Sequence, residues 1–239
     1  MILNRAPHYG EDDDFADELT AMALKDYCNI IGNYQNMRSG RGPIGGGYFA
    51  STNTVSANIT AGEVVGDSPD GRKKGEPTAD GISPSQGNGR KGPTAIFQSA
   101  AKLPTVEVAG GQLLNMRLNH NSLASNTAIR KLAALLCSFF DLKGWHVQFN
   151  TISTEVLKDA IAHPQKYPDL IVRVAGYSAL FVTLDPALPP KGMLRDAEGY
   201  HRPHGTCDQL TEPGINKPLV RGLPRRVQTN RTLVFFVQS

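Results

Sequence analysis

The stretch Asp169-Leu-Ile-Val-Arg-Val-Ala-Gly-Tyr-Ser-Ala-Leu-Phe-Val-Thr183 constrains this chain more than any other. Two apolar runs, Leu170 to Val174 and Ala179 to Val182, have the length and β-branched content of short buried strands. Gly176 interrupts them where a β-branched residue would pack better, so the chain is expected to bend sharply there. A glycine at a bend supplies backbone angles that a Cβ forbids, or lets a second backbone approach closely. Glycine also has a chemical property of its own: its Cα carries two hydrogens, and losing one leaves a planar radical stabilised by the flanking amides.

Other short runs accompany this stretch in a fixed order. They are Ser68-Pro-Asp-Gly-Arg-Lys-Lys-Gly-Glu-Pro-Thr-Ala-Asp-Gly-Ile-Ser-Pro-Ser-Gln-Gly87, Gly92-Pro-Thr-Ala95, Leu114-Asn115, His146-Val-Gln-Phe-Asn150, and His163-Pro with Tyr167-Pro. Together with Arg173-Val-Ala-Gly-Tyr-Ser-Ala-Leu-Phe181 they resemble the C-terminal part of the glycyl radical enzymes, over roughly Pro7 to Pro186. The resemblance implies an α/β fold, part of a ten-stranded α/β barrel enclosing a finger loop. It implies that Gly176 stores the radical and that Arg173, Val174, Ala175, Tyr177 and Ser178 support the radical loop, which spans 170–183.

The resemblance also implies partners. An activating enzyme using S-adenosylmethionine and an iron–sulfur cluster would remove the hydrogen from Gly176, chemistry that protein groups cannot supply. The radical would pass to a cysteine thiol, which would attack a small-molecule substrate; the chain itself would bind no cofactor and no metal. That cysteine belongs to a Gly-Cys pair in the family, and no Gly-Cys dipeptide occurs here. The chain is therefore expected to be inactive alone and to need the missing N-terminal barrel portion or a homo-oligomer. Two alternatives stay open: a free-standing radical module that complements a partner barrel, and a non-catalytic interaction protein. The loop reads Ala-Gly-Tyr-Ser where pyruvate formate-lyase proper has Ser-Gly-Tyr-Ala, which favours the dehydratase and decarboxylase branch.

Composition limits the remaining classes. With 239 residues, 40% of them hydrophobic and 20% charged, the chain has an ordinary globular make-up. No apolar run reaches the ~20 residues that span a bilayer, and no signal-peptide pattern opens the chain, so no membrane partner and a cytoplasmic location are expected. Three cysteines, Cys28, Cys137 and Cys207, with no CxxC spacing indicate neither a disulfide framework nor a zinc ribbon. Residues 186–239 carry eight Lys and Arg against four Asp and Glu, and seven of the 16 prolines. This break divides the chain into 1–186, the barrel portion, and an irregular tail, 187–239. A shifted reading frame or artificial junction near Ala187 would explain the tail; so would divergence. In the tail His201, His204 and Cys207 fall at three-residue steps, but Pro203 and Gly205 break any helix, and chance spacing explains them better than a metal. Its arginines suit a disordered end as well as nucleic acid, and no nucleic-acid partner is expected.

Along the chain, Glu11 to Met37 reads as an amphipathic helix with Phe15, Leu19, Met22, Leu24, Tyr27, Ile30, Ile31 and Tyr34 at three- and four-residue steps, and Cys28 as a small buried hydrophobe among them. Its acidic start, Glu11 to Asp14, reads as a solvated first turn in preference to a metal site. Gly40-Arg-Gly-Pro-Ile-Gly45 satisfies GxGxxG but follows a helix instead of a strand, so it is a loop. Phe49 to Thr60 reads as a strand with Val55 and Ile59 inward. Gly62 to Gly92 reads as an ordered surface loop with solvated basic residues Arg72, Lys73 and Lys74. Beyond it are expected a helix over Thr94–Lys102, a strand over Gln112–Leu118, a helix over Ser122–Leu142 stopped at Gly144 and enclosing Cys137, a strand over Trp145–Thr151, and a helix over Ser153–Ala162. Strand, helix and strand in alternation predict a mainly parallel sheet.

Overall fold

A computed structural model describes residues 6–35, 47–52, 57–85, 87–118, 123–173 and 178–183. The first helix, α1 (Asp14–Gly32), starts where Asp13 accepts a hydrogen bond from the Ala16 N–H at 3.2 Å. Such a cap satisfies one of the free N–H groups of the first turn, and Asp14 and Asp17 place negative charge at its positive end. Two short helices follow, α2 (Ala57–Val64) and α3 (Pro93–Ala101), the latter with proline at its first position.

The centre of the molecule is a strand–helix–strand unit: β1 (Asn115–Arg117), α4 (Asn126–Asp141) and β2 (Gln148–Asn150). The strands pair in parallel, Met116 opposite Phe149, and a parallel pair requires a long crossover, which α4 supplies. Ser125 caps α4 by accepting from Ala128 N–H. At its far end Lys143 takes φ 72°, its N–H bonds the Phe140 carbonyl at 3.0 Å, and the Gly144 N–H bonds the Phe139 carbonyl at 2.9 Å. This is a Schellman stop. The left-handed residue is Lys143; Gly144 is needed for space, since a Cβ there would stand 2.3 Å from the Phe139 ring.

Phe139 anchors the main core. Its ring stacks on Phe97 of α3 with centroids 4.5 Å apart, and Ile82, Ile96, Leu114, Met116, Leu136 and Phe149 close around the pair. A second, smaller core lies beyond β2. It joins Leu157 and Ala160 of α5 (Thr154–Ala162) to Val172 of β3 (Ile171–Arg173) and to Phe181, just past β4 (Ser178–Leu180). Strands β3 and β4 are antiparallel.

Several expectations are corrected. The sheet is not mainly parallel: the described strands form one parallel and one antiparallel pair. Residues 57–64 are helical, because Gly62 packs on the returning loop at Glu76 and the Asn58 carbonyl accepts the Thr78 N–H, contacts that alternation in sequence does not reveal. Among the described residues of the predicted strand only Thr52 keeps strand character, as a bridge to Gln112; Val55 lies outside the described residues. The 62–92 segment is not wholly a surface loop, since Ile82, Ser83 and Pro84 are buried against the core. Cys137 is exposed on α4, and Cys28 is only half-buried. The predicted stripe of α1 also divides. Ala16 is buried and Ala21 and Leu24 pack on the core, whereas Phe15 is 70% exposed and Leu19, Met22, Ile30 and Tyr34 are exposed with it.

The acidic start of α1 is neither freely solvated nor a metal site. Lys102 at the end of α3 donates to Asp12, Asp14 and the wholly buried Asp17, at 3.0, 2.7 and 2.9 Å, and Ser99 also bonds Asp17. Burial alone would lower the Lys102 pKa; the three aspartate bonds outweigh it and hold the ammonium above its ordinary value. Among the described residues no cluster of His, Cys, Asp and Glu could hold a metal ion, and no helix is long and apolar enough to cross a membrane.

Two substitutions test this account. Phe139→Ala removes the stacked ring from a filled site and is expected to lower stability by about 3–5 kcal/mol, read as a lower urea midpoint by circular dichroism. Lys102→Met leaves Asp17 buried and uncompensated, and a loss of about 3 kcal/mol is expected by the same measurement; an unchanged midpoint would mean that the aspartates do not depend on Lys102.

Candidate functional site

The stretch around Gly176 is framed by the second core. Val172 is fully buried against α5, and Ile171, Val172 and Arg173 pair with Leu180, Ala179 and Ser178. Arg173 and Ser178 are therefore cross-strand partners, and the four residues between them join the ends of two paired strands. Those four, Val174, Ala175, Gly176 and Tyr177, lie outside the described residues, as do Gly40 to Gly45 and the tail with His201, His204 and Cys207. At the base of the pair the Phe181 N–H donates to the Leu170 carbonyl at 2.7 Å, closing one further rung.

What leads into β3 is fixed by Asp159. Its Oδ2 accepts the Tyr167 hydroxyl proton at 2.7 Å and its Oδ1 meets His163 Nδ1 at 2.8 Å. These partners bracket the single 3-10 turn Pro164–Lys166, so one carboxylate staples the corner between α5 and β3. The Tyr167 carbonyl then receives the Leu170 N–H at 3.2 Å. The Tyr167 and His163 bonds hold the Asp159 pKa below the usual carboxylate range, and the Asp159 bond holds the Tyr167 pKa above the usual phenol range.

The earlier runs converge on β1 and β2. Asn115 and Gln148 are register partners; the Gln148 amide donates to Asn115, whose own amide donates to Asp80. Ser83 accepts the Asn115 N–H at 3.0 Å. Runs separated in sequence by some 30 residues thus form one polar chain across a strand pair, and β2 lies against β3. Order along the chain does not reveal that their polar residues meet; the mark they leave in the sequence is a polar residue at strand positions that are otherwise apolar. Arg117 reaches over to the Ile152 carbonyl and ties β1 to the entry of α5.

Arg72, expected to be solvated, has a structural task. Its guanidinium donates to the carbonyls of Glu76 and Lys73 at 2.9 and 3.1 Å and to that of Gly66, knitting the 62–76 loop together. Five donors in a rigid fork suit this role better than a lysine ammonium would.

Comparison with known proteins gives this geometry a family. Residues 78–182 match the glycine radical family and residues 1–62 match the pyruvate formate lyase-like family. The chain belongs to the glycyl radical enzymes. It is 48% identical over 186 residues to "Probable dehydratase YbiW" of Escherichia coli (strain K12), covering 77% of this chain and 23% of that protein. It is 38% identical over 189 residues to trans-4-hydroxy-L-proline dehydratase of Clostridioides difficile, covering 79% of this chain and 23% of the relative. Among solved structures it superposes on the glycerol-bound B12-independent glycerol dehydratase from Clostridium butyricum with TM-score 0.71 and 39% identity, over 82% of this chain and 23% of that one. The chain thus spans about 23% of the length of these glycyl radical relatives.

The Asp159 staple predicts a pH dependence with a definite sign. A carboxyl whose pKa is lowered on folding contributes stability that is complete above its ordinary 3.8 and is lost as pH falls through the lowered value. Amide protection at Val172 and Ala179 is expected to be flat at neutral pH and to fall only in that acid window; a fall that begins at neutral pH would defeat the assignment to Asp159.

Proposed function

We propose that this chain supplies the radical-bearing portion of a glycyl radical lyase or dehydratase, with Gly176 as the residue that stores the radical. The observation that supports this reading is the pairing of Arg173 with Ser178, the two residues that flank the stretch containing Gly176, within a span that matches the glycine radical family. An activating enzyme using S-adenosylmethionine and an iron–sulfur cluster removes one hydrogen from the Gly176 Cα. Arg173, Val174, Ala175, Tyr177 and Ser178 hold the loop and take no direct part in the chemistry.

The thiol that attacks substrate comes from another portion of the enzyme, since this chain has no Gly-Cys pair. On this reading residues 1–186 form part of the family's ten-stranded α/β barrel, in the cytoplasm, and 187–239 is a separate tail. The exposed face of α1, with Phe15, Leu19, Met22 and Ile30, supports such an arrangement, because an apolar stripe of this size is what a second portion of barrel would cover. The substrate is a small molecule of the dehydratase and lyase branch, which the names of the relatives favour: they include a probable dehydratase, trans-4-hydroxy-L-proline dehydratase and isethionate sulfite-lyase.

Anaerobic incubation with the activating enzyme and S-adenosylmethionine is expected to give a glycine-centred paramagnetic signal, and subsequent air to cut the chain at residue 176. Gly176→Ala is expected to abolish both; a parent that stays silent and uncut, or an alanine variant that behaves like it, defeats the reading. The double substitution Phe15→Asp with Met22→Asp is expected to weaken binding to the complementary barrel portion at least tenfold, about 1.4 kcal/mol, with the fold of this chain intact by circular dichroism.

A further inference from the structure

The corner below the radical loop carries more hydrogen bonding than a simple turn needs. Asp159 spends both carboxylate oxygens on it, one on Tyr167 and one on His163, with Lys166 Nζ 3.9 Å away. A 3-10 turn of three residues is already closed by its backbone: the Lys166 N–H bonds the His163 carbonyl and the Tyr167 N–H bonds the Pro164 carbonyl, both at 3.0 Å. The side-chain bonds do something the backbone does not. They fix the Tyr167 phenol on α5, and Tyr167 packs against the second core beside Leu170.

From there the restraint reaches the strand pair without a gap. The Tyr167 carbonyl holds the Leu170 N–H, the Leu170 carbonyl holds the Phe181 N–H, and Ile171 pairs with Leu180. Both strands that flank residues 174–177 are thus linked to Asp159 on α5, in addition to the second core and the contact of β3 with β2. The second core beneath them is small, four buried residues against the twelve of the main core, so packing alone restrains the pair weakly and a directional anchor carries more of the load.

We infer that Asp159, acting through Tyr167, is a positioning residue for the radical loop: it sets where the strand pair that flanks residues 174–177 stands relative to the rest of the fold. This rests on the reading of Gly176 as the radical site. The Asp159 side chain is 39% exposed and both its oxygens are engaged by Tyr167 and His163, so its role is assigned to positioning and not to the chemistry. Its effect is on how many chains present the glycine correctly, not on the chemistry of hydrogen removal.

Three variants separate this role from a general loss of structure. Tyr167→Phe removes only the hydroxyl, Asp159→Ala removes both acceptors, and Asp159→Asn keeps an oxygen for Tyr167 and an amide for His163. After anaerobic activation of each full chain, spin per polypeptide is measured by electron paramagnetic resonance, and amide exchange is followed at Val172 and Ala179 and, as a reference, at Leu132 and Leu136 in α4. Tyr167→Phe and Asp159→Ala are expected to lower the spin at least fivefold and speed exchange in the strand pair at least tenfold, with α4 unchanged; Asp159→Asn is expected to recover at least half of the spin. Parent-like spin and exchange in Tyr167→Phe overturn the inference, and so does equal acceleration in α4, which would make the staple a component of global stability. If the parent itself acquires no spin, the radical reading fails, and the exchange pattern alone then decides whether Asp159 anchors the strands.

Discussion

Arg173 and Ser178, which flank residues 174–177 in sequence, are paired on strands held by a core that is not the main one. Leu157, Ala160, Val172 and Phe181 bury one another beyond β2, while the larger cluster around Phe139 ends at Phe149. Two clusters that share none of their residues give two local stabilities in one chain. The strand pair is therefore attached to the fold through α5, through the edge of β2, and through Arg117 on the Ile152 carbonyl, and each attachment is a specific bond or a small apolar contact.

The main cluster explains why the helices lie where they do. Phe139 stacked on Phe97 fixes α4 against α3, and Gly144 must stay small because the returning chain lies on the ring. Lys102 then fixes α3 to α1, since its ammonium is the counter-charge for an aspartate that is wholly out of water. An unpaired buried carboxylate is costly, so this contact sets the orientation of α1 as strictly as shape does. Tyr9 adds to it by donating to the Ile82 carbonyl at 2.9 Å. Which face of α1 is turned inward follows from Asp17 and Ala16, and the aromatic and aliphatic face is left outside.

That result marks the limit of what the sequence made legible. Helix α4 could be read from the spacing of Leu132, Leu136 and Phe139 and the serine before it, and α5 from Ser153 and Pro164, because these signals are local and need no partner. The glycine radical stretch was legible as a family resemblance, and its flanking strands as two apolar runs. The burial of α1 was not, because its apolar residues are spread widely enough to satisfy a period of 3.6, and the inward face is chosen by contacts of Asp17 with Lys102 and Ser99 and by the packing of Ala16, Ala21 and Leu24, which the spacing does not reveal. Helix α2 was missed because Gly62 is excused from its usual penalty by the close approach of Glu76. Arg72 looked like free charge because its acceptors are backbone carbonyls, which carry no mark in a sequence. The polar chain Asp80, Asn115 and Gln148 was hidden for a similar reason: its members become neighbours only when β1 pairs with β2.

The outward face of α1 bears on how such a portion could join a larger enzyme. Phe15, Leu19, Met22, Ile30 and Tyr34 are each roughly half exposed or more, so covering them removes about 1 kcal/mol of unfavourable hydration apiece. Association costs about 4–15 kcal/mol in lost translational and rotational freedom. The stripe by itself therefore supports only weak binding of a separate partner, and the main core is complete without it. Joined through a continuous polypeptide, the same contact would face a far smaller entropic cost and would hold α1 firmly. A separately made radical portion would need a second surface to bind as tightly, and on the proposed reading the candidate is the strand pair itself, because it must reach the thiol in the other portion. Positioning by Asp159 then matters most for a separate chain, since a loosely held strand pair would have to be ordered at the moment of docking and would subtract from an affinity that α1 leaves marginal.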